Sequence, residues 1–192
     1  MNALMRTKAI MVDPAATWLG IEKDIGDPAY LLSHYVAVLG LIPALSSFVG
    51  ATLIGVVAPS GATLHADLLD GLFGAIFSYA SSCAIVLLLG LIIDLLAPLF
   101  GGRRAFEDAF KLAVYSLTPL WLAGIFLLLP GLRFLLLIGV YGIYLFWLGA
   151  PRLAKVPEGQ AVNFTVVIVI CAGGLLYGAA LAQRMLFGTP GL

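Results

Sequence analysis

Charged side chains are scarce in this sequence. Lysine and arginine supply ten residues, aspartate and glutamate supply ten, and together they make up 10% of the 192 residues. Soluble domains carry about 25% charged residues. The formal net charge is zero, so no basic stripe indicates a nucleic-acid partner. With 62% hydrophobic residues, a chain of this length cannot hide its apolar surface in a water-soluble core.

Cysteine and histidine are equally rare, with two residues each. Cys83 and Cys171 lie far apart inside apolar runs, which favours small buried residues over a disulfide or a metal pair. His65, Asp67 and Asp70 share one loop, which is a weak basis for a cation site. The metalloprotease, serine-hydrolase and phosphate-loop motifs are absent from the sequence. We therefore predict no catalytic residue, no metal and no cofactor, and we expect a protein that is not an enzyme.

The sequence does contain five long apolar runs. A bilayer core about 30 Å thick is crossed by about 20 helical residues. The third run is the shortest, which indicates a tilted or imperfect span. These runs predict an all-α, polytopic membrane protein, a five-span transmembrane helical bundle with the lipid bilayer as its surroundings. The runs cover Tyr35–Val57, Ala75–Leu96, Ala113–Leu129, Leu132–Ala150 and Phe164–Leu186.

The basic residues predict the orientation of the bundle, because lysine and arginine are retained on the cytoplasmic side. With five spans, eight of the ten basic residues fall on one side, which predicts a cytoplasmic N-terminus and an outside C-terminus. For a bacterial chain the membrane would be the cell inner membrane. The eight are Arg6, Lys8, Lys23, Arg103, Arg104, Lys111, Arg152 and Lys155; the other two are Arg133 and Arg184.

The residues before the first run predict a short helix. Asp13-Pro14 is a helix start, with aspartate as the cap and proline in the first turn. Trp18 and Ile21 recur at helical spacing, so the helix either lies on the inner leaflet with Trp18 at headgroup level or packs against the cytoplasmic end of the bundle. We expect residues 1–32 to form a cytoplasmic segment with an interfacial amphipathic helix and residues 33–188 to form the five-span domain.

Pro43 and Pro119 interrupt the first and third runs at similar predicted depth. A proline removes a backbone hydrogen bond, so the pair marks either plain kinks or a binding site between broken helices. The kink is the favoured interpretation. In the fifth run Gly174, Gly178 and Ala182 recur four residues apart, and we expect this stripe to pack within the chain rather than between two copies. The oligomeric state stays open.

Asp94 is the acidic residue inside a predicted span. An ionised group near the bilayer centre costs roughly 2.5–3.5 kcal/mol on insertion scales, so it usually has a purpose. The favoured interpretation is an ion pair with the following loop, which holds Arg103 and Arg104. The alternative is a proton- or ion-coupled site that also uses Tyr115 and Thr118.

The later segments resemble the Yip domain family, in its bacterial branch. The resemblance rests on IDLLAPLFGG from Ile93, on AVYSLTPLWLAGIFLLLPGL and on YGIYLFWLGAPRLAKVP, and it covers about residues 10–187. The third run matches the family at Thr118, Pro119 and Gly124. The fourth run matches it at Tyr141, Tyr144, Gly149 and Pro151.

The resemblance implies a five-span fold with a cytoplasmic N-terminus. Eukaryotic members are associated with Rab-type GTPases and vesicle traffic, but they carry a longer N-terminal region than the roughly 30 residues here, so that role does not transfer. The leading hypothesis is a scaffold that organises lipid or binds membrane or cytoplasmic protein partners; the alternative is a small ion- or proton-coupled transporter or channel using Asp94. The expected working surface comprises Trp18, Arg103, Arg104, Lys111, Arg152 and Lys155.

Overall fold

The computed structural model describes residues 3–24, 27–57 and 63–187. Each of its five long helices is long and apolar enough to cross a membrane, so the all-α, five-span prediction is confirmed. Two short helices precede them, α1 (Ala3–Val12) and α2 (Pro14–Lys23). The long helices are α3 (Pro28–Ile54), α4 (Leu68–Phe100), α5 (Phe106–Leu128), α6 (Gly131–Leu153) and α7 (Glu158–Phe187).

The helices extend beyond the apolar runs that predict them. The clearest case is α5, which begins at Phe106 although its apolar run begins at Ala113. Glu107 and Asp108 occupy its first turn, where negative charge complements the helix dipole. The third span is therefore a helix of 23 residues, long enough to cross the bilayer core.

Several segments depart from regular α-helix. Within α3, Leu32–Val36 and Gly50–Ile54 are π-helical. Tight 3₁₀ turns form Ala97–Phe100 at the end of α4, Gly124–Leu128 at the end of α5 and Pro130–Val140 at the start of α6; the rest of α6, Tyr141–Leu153, is α-helical. Runs of 3₁₀ helix longer than four residues are uncommon. Between α3 and α4, the strands β1 (Val56–Val57) and β2 (Thr63–Leu64) pair antiparallel, with Val56 opposite Leu64.

Helix α5 is the centre of the bundle. Buried residues make up 61% of its span but only 17% of the span of α7. Helices α3, α4 and α6 all pack on α5, whereas α7 packs on α4 and α6. Phe164 of α7 contacts Phe100 and Phe146, with ring centres 5.2 and 5.6 Å apart.

The two prolines lie at different levels of the bundle. Pro43 packs against Gly124, where an added Cβ would come within 2.6 Å of the proline ring. Gly124 lies five residues beyond Pro119, which is about 7 Å along a helix. The expectation of similar depth is therefore wrong, and the two prolines do not face each other across one site.

The small-residue stripe of α7 also differs from expectation. A Cβ added at Gly173, Gly174 or Gly178 would meet no atom within 4 Å. These glycines therefore face away from the other helices of the chain, and the prediction that the stripe packs within the chain is wrong.

Helices α1 and α2 pack against one end of the bundle. Asp13 caps α2 as predicted, since its Oδ1 accepts from the backbone N–H of Ala16 at 3.2 Å. Trp18 is fully buried, and its ring meets the ring of Tyr115 edge-on with centres 6.1 Å apart. Of the two interpretations of α2, packing against the bundle is the one the structure adopts. Trp18 is enclosed by the bundle and is not exposed to surrounding lipid.

The packing position of Trp18 depends on Gly149 of α6. A Cβ at Gly149 would lie 2.8 Å from the indole ring and 2.7 Å from Leu112. Real Cβ atoms do not approach other atoms this closely without displacement, so only glycine leaves room for the indole.

We expect Gly149→Ala to destabilise the protein in detergent by about 1–3 kcal/mol, because the added methyl displaces Trp18. The measurement is reversible unfolding followed by tryptophan fluorescence. Gly173→Ala is the matched control: it makes the same change within a helix where the methyl meets open space, so it should leave stability unchanged or slightly raised. Equal effects of the two variants would contradict the packing argument.

Candidate functional site at the charged end of the bundle

Three separate parts of the chain meet at one end of the bundle: α1 and α2 with the start of α3, the loop 101–105 with the adjoining ends of α4 and α5, and the loop 154–157 with the adjoining ends of α6 and α7. We call this the charged end. The Lys111 ammonium donates to the backbone carbonyl of Asp24 at 2.9 Å, and the Lys155 ammonium pairs with Glu22. Arg6 pairs with Asp24. The segments that carry eight of the ten basic residues are thus brought together.

The two loops of the charged end are tied to each other by their backbones. The Arg103 N–H donates to the Ala154 carbonyl at 3.0 Å. Gly102 makes this contact close, because a Cβ there would collide with the Ala154 carbonyl oxygen and with Val156. The side chains of Arg103 and Arg104 are 58% and 60% exposed, so the loops present cations on one continuous surface.

Two residues expected on this surface are buried, and the expectation is corrected for both. Trp18 is enclosed between α5 and α6 because Gly149 makes room for it. The Lys111 side chain is covered by the end of α2, and its ammonium bonds both the Asp24 carbonyl and Asp108 Oδ1 at 2.9 Å. Arg103, Arg104, Arg152 and Lys155 remain at least partly accessible.

Asp94 pairs with Arg104. Its Oδ2 accepts from Arg104 Nε at 3.2 Å and from Nη2 at 3.1 Å. The carboxylate is buried, and its Oδ1 has no hydrogen-bond partner among the described residues. The guanidinium therefore reaches back from the loop to the end of α4 and joins the two.

A second polar group lies deeper in the bundle and does not include Asp94. The Thr7 hydroxyl donates to the Tyr35 hydroxyl at 3.1 Å, and the Tyr35 hydroxyl lies 3.0 Å from that of Thr118. Tyr115 packs edge-on against Tyr35 with ring centres 5.1 Å apart. Thr118 and Tyr115 thus belong to a site with α1 and α3, and among the described residues no hydrogen bond connects it to Asp94.

Sequence reasoning missed Tyr35 and Thr7. Tyr35 is the first residue of the first apolar run, and this position was a weak indication that its hydroxyl group is buried. Thr7 gave none, because α1 has no strong periodic pattern. Pro43 and Pro119 belong to neither polar group: Pro43 packs on Gly124, and Pro119 is buried facing Gly142 of α6.

The loop at the opposite end offers no convergent metal ligands. His65 Nδ1 lies 3.2 Å from the Thr52 carbonyl, and Asp67 Oδ1 accepts from the Leu69 N–H at the start of α4. These contacts account for His65 as a loop contact and Asp67 as a helix cap. In ranges 3–24, 27–57 and 63–187, no three histidine, cysteine or acidic side chains are grouped to hold a metal.

The charged end has as many carboxylates as cations. Its eight basic residues lie on the same segments as eight acidic ones, so its formal charge is zero. A uniform attraction to an anionic surface requires a net positive patch, and this end is instead a mosaic of both signs. The acidic residues are Asp13, Glu22, Asp24, Asp27, Asp94, Glu107, Asp108 and Glu158.

The fold and this end together define a helical membrane protein with five spans and a polar cap at one end. The Yip1 domain model matches residues 8–181, and the chain belongs to the Yip1 domain family. Inner membrane protein YohC of Escherichia coli K12 is 28% identical over 137 residues, covering 69% of this chain and 70% of the relative. YohC of E. coli O6:H1 gives the same figures. No solved structure matches the chain.

The Asp94–Arg104 pair predicts an ordered set of stabilities. Arg104→Gln leaves a buried carboxylate without its cation, so we expect a loss of about 1–3 kcal/mol. Adding Asp94→Asn removes the stranded charge and should restore part of that loss. The measurement is a double-mutant cycle on unfolding in detergent. If the double variant is as unstable as the sum of the two single variants, the two residues are not coupled.

The Glu22–Lys155 pair predicts a pH dependence. The hydrogen bond from Lys155 lowers the pKa of Glu22 from its ordinary value of 4.5. A lowered pKa adds stability that is fully present above pH 4.5 and disappears as the pH falls through the folded-state pKa. The melting temperature of Glu22→Gln should therefore lie slightly below that of the natural chain at pH 7, and the two should converge as the pH falls through the lowered pKa of Glu22. A constant difference across this range would contradict the pair.

Proposed function

We propose that this Yip1-family membrane protein is a non-enzymatic scaffold that organises lipid or partner proteins at its charged end. The observation that carries the proposal is the backbone bond between Arg103 and Ala154. It holds two loops together, so that exposed side chains from both form one rigid surface. A scaffold needs such a fixed arrangement, because binding energy is not then spent on ordering loops.

We further propose that the charged end faces the cytoplasm, with the C-terminus outside. The excess of lysine and arginine at this end supports that orientation, since the rule counts basic residues and is not a rule of net charge. The similarity to an inner membrane protein supports a cell inner membrane as the location.

In this proposal the Asp94–Arg104 pair anchors the working loop to the bundle. The transporter alternative requires Asp94 to act with Tyr115 and Thr118. Asp94 is instead bonded to Arg104, while Thr118 is bonded to Tyr35, so the described contacts favour the scaffold. The prolines add no support for transport, because Pro43 and Pro119 lie at different levels.

In this proposal α1, and not Trp18, contacts the lipid. Leu4, Met5 and Val12 are each at least 66% exposed, which is costly in water and favourable in a bilayer interface. Helix α1 is also held against the bundle through Thr7, so its apolar face has a fixed direction.

The proposal predicts a loss of bound lipid or partner when the exposed cations are neutralised. Arg103, Arg104, Arg152 and Lys155 are replaced together by glutamine, and the full chain is purified from its own membranes after mild cross-linking. We expect co-purified phospholipid and cross-linked protein, both measured by mass spectrometry, to fall roughly tenfold, because charge-assisted contacts are lost.

The matched control replaces Arg133 and Arg184, the two basic residues outside the charged end, by glutamine. This control should retain lipid and partners at the level of the natural chain. Unchanged recovery with the fourfold variant, or an equal loss with the control, would contradict the scaffold.

A further inference from the structure

A groove of about 490 Å³ opens between α2, the end of α6 and the start of α7. Its volume is in the range of sites for small molecules, about 300–1,000 Å³. Trp147, Leu148 and Pro151 supply apolar lining, and Arg152, Lys155 and Glu158, which we call the rim, supply charged lining. The groove therefore has both apolar and charged residues in its lining.

The apolar and charged residues that α6 contributes to the groove follow one another along that helix, as the acyl chains and headgroup of a lipid do along the membrane normal. Trp147 precedes Arg152 by five residues, which is about 7 Å along α6 and toward the interior of the span. Its ring is 42% exposed on the outer surface of the bundle. An amphiphile with its headgroup at the rim would place its acyl chains beside Trp147, where tryptophan typically meets the membrane interface.

The charges at the rim are of both signs. Lys155 already pairs with Glu22. Arg152 and Glu158 form no ion pair within the residues that the structure covers. The rim thus offers one guanidinium and one carboxylate to a ligand, against a background that is electrically balanced.

We propose that this groove binds the phosphoethanolamine headgroup of an aminophospholipid. The inference deepens the proposed function and rests on it for placing the charged end in the headgroup layer. The Arg152 guanidinium binds the phosphate, for which its planar donors are suited. The Glu158 carboxylate accepts hydrogen bonds from the primary ammonium. A lipid with both charges satisfies both side chains at once.

Other headgroups fit the rim less well. An anionic phosphatidylglycerol headgroup satisfies Arg152 but leaves Glu158 facing negative charge. The trimethylammonium of phosphatidylcholine cannot donate a hydrogen bond to a carboxylate, and its preferred partner is an aromatic cage. Among the residues shown to line the groove only Trp147 is aromatic, and one ring does not make a cage.

The backbone conformation of Lys155 supports a functional role for its side chain at this rim. Its φ is +55°, in the left-handed region where a helix usually ends with glycine. A non-glycine residue there costs free energy. Lys155 is held in that conformation while its ammonium bonds Glu22, which leaves Glu158 free for a ligand.

The test is native mass spectrometry of the delipidated full chain in detergent, titrated with dioleoyl phosphatidylethanolamine, phosphatidylglycerol or phosphatidylcholine. We expect phosphatidylethanolamine to bind roughly tenfold more tightly than the other two, as one charge-assisted hydrogen bond allows. Equal affinities for the three lipids would overturn the proposal.

Two variants separate the two halves of the headgroup. Arg152→Gln should weaken phosphatidylethanolamine and phosphatidylglycerol alike, because both present a phosphate. Glu158→Gln should weaken phosphatidylethanolamine alone and leave phosphatidylglycerol unchanged or tighter. If Arg152→Gln does not fold, Glu158→Gln carries the test, since Glu158 is exposed at the start of α7. Loss of all lipids with Glu158→Gln would overturn the assignment.

The controls are Glu107→Gln, an exposed carboxylate at the same end outside the groove, and Arg184→Gln, an exposed cation outside the charged end. Neither should alter headgroup preference. If the groove fails while the fourfold variant still loses its partners, the scaffold stands and the lipid assignment falls. If Arg152→Gln and Glu158→Gln change lipid binding as expected while the fourfold variant keeps its cross-linked protein partners, the groove stands and partner binding by the scaffold falls.

Discussion

The hydrocarbon core of a bilayer cannot hydrogen-bond to a peptide group, and this constraint organises the whole chain. Every segment that crosses the hydrocarbon must pair its own N–H and C=O groups, which a helix does and a loop does not. The charged residues are consequently displaced to the helix ends and loops, and most of them gather at one end. The polar groups that stay inside, such as the hydroxyls of Tyr35 and Thr118, are bonded to each other.

The same constraint explains which features could be predicted from the sequence. The five spans follow from length and apolarity alone, so they were predicted correctly. Their ends were not, because polar first turns such as that of α5 extend a helix past its apolar run. The burial of Trp18 and Lys111 could not be predicted, since it depends on Gly149 and Asp24, which lie far away in sequence. The Asp94–Arg104 contact was anticipated because its two partners are only ten residues apart.

Counting basic residues and counting net charge answer different questions here. The asymmetry of lysine and arginine supports an orientation, because insertion depends on those residues and little on carboxylates. Attraction to a surface depends on the sum, and at the charged end the sum is zero. Anionic lipid is therefore not expected to attract this end as a whole. The charged end instead presents paired charges at fixed positions. Such charges favour ligands of matching geometry rather than attracting every ligand of one sign.

The position of α5 shows how such fixed positions arise. This helix is covered by α3, α4 and α6, and α1 and α2 close over its first half through Thr7 and Trp18. Its first turns are therefore held by several neighbours. The loop before α5 is tied to α4 by Arg104 and to the loop between α6 and α7 by the bond from Arg103 to Ala154. By contrast, α7 is mostly exposed and packs mainly on α4 and α6. The groove lies between the start of this outer helix and the end of α6 beside the rigid core, where a lipid can enter from the bilayer without the core having to open.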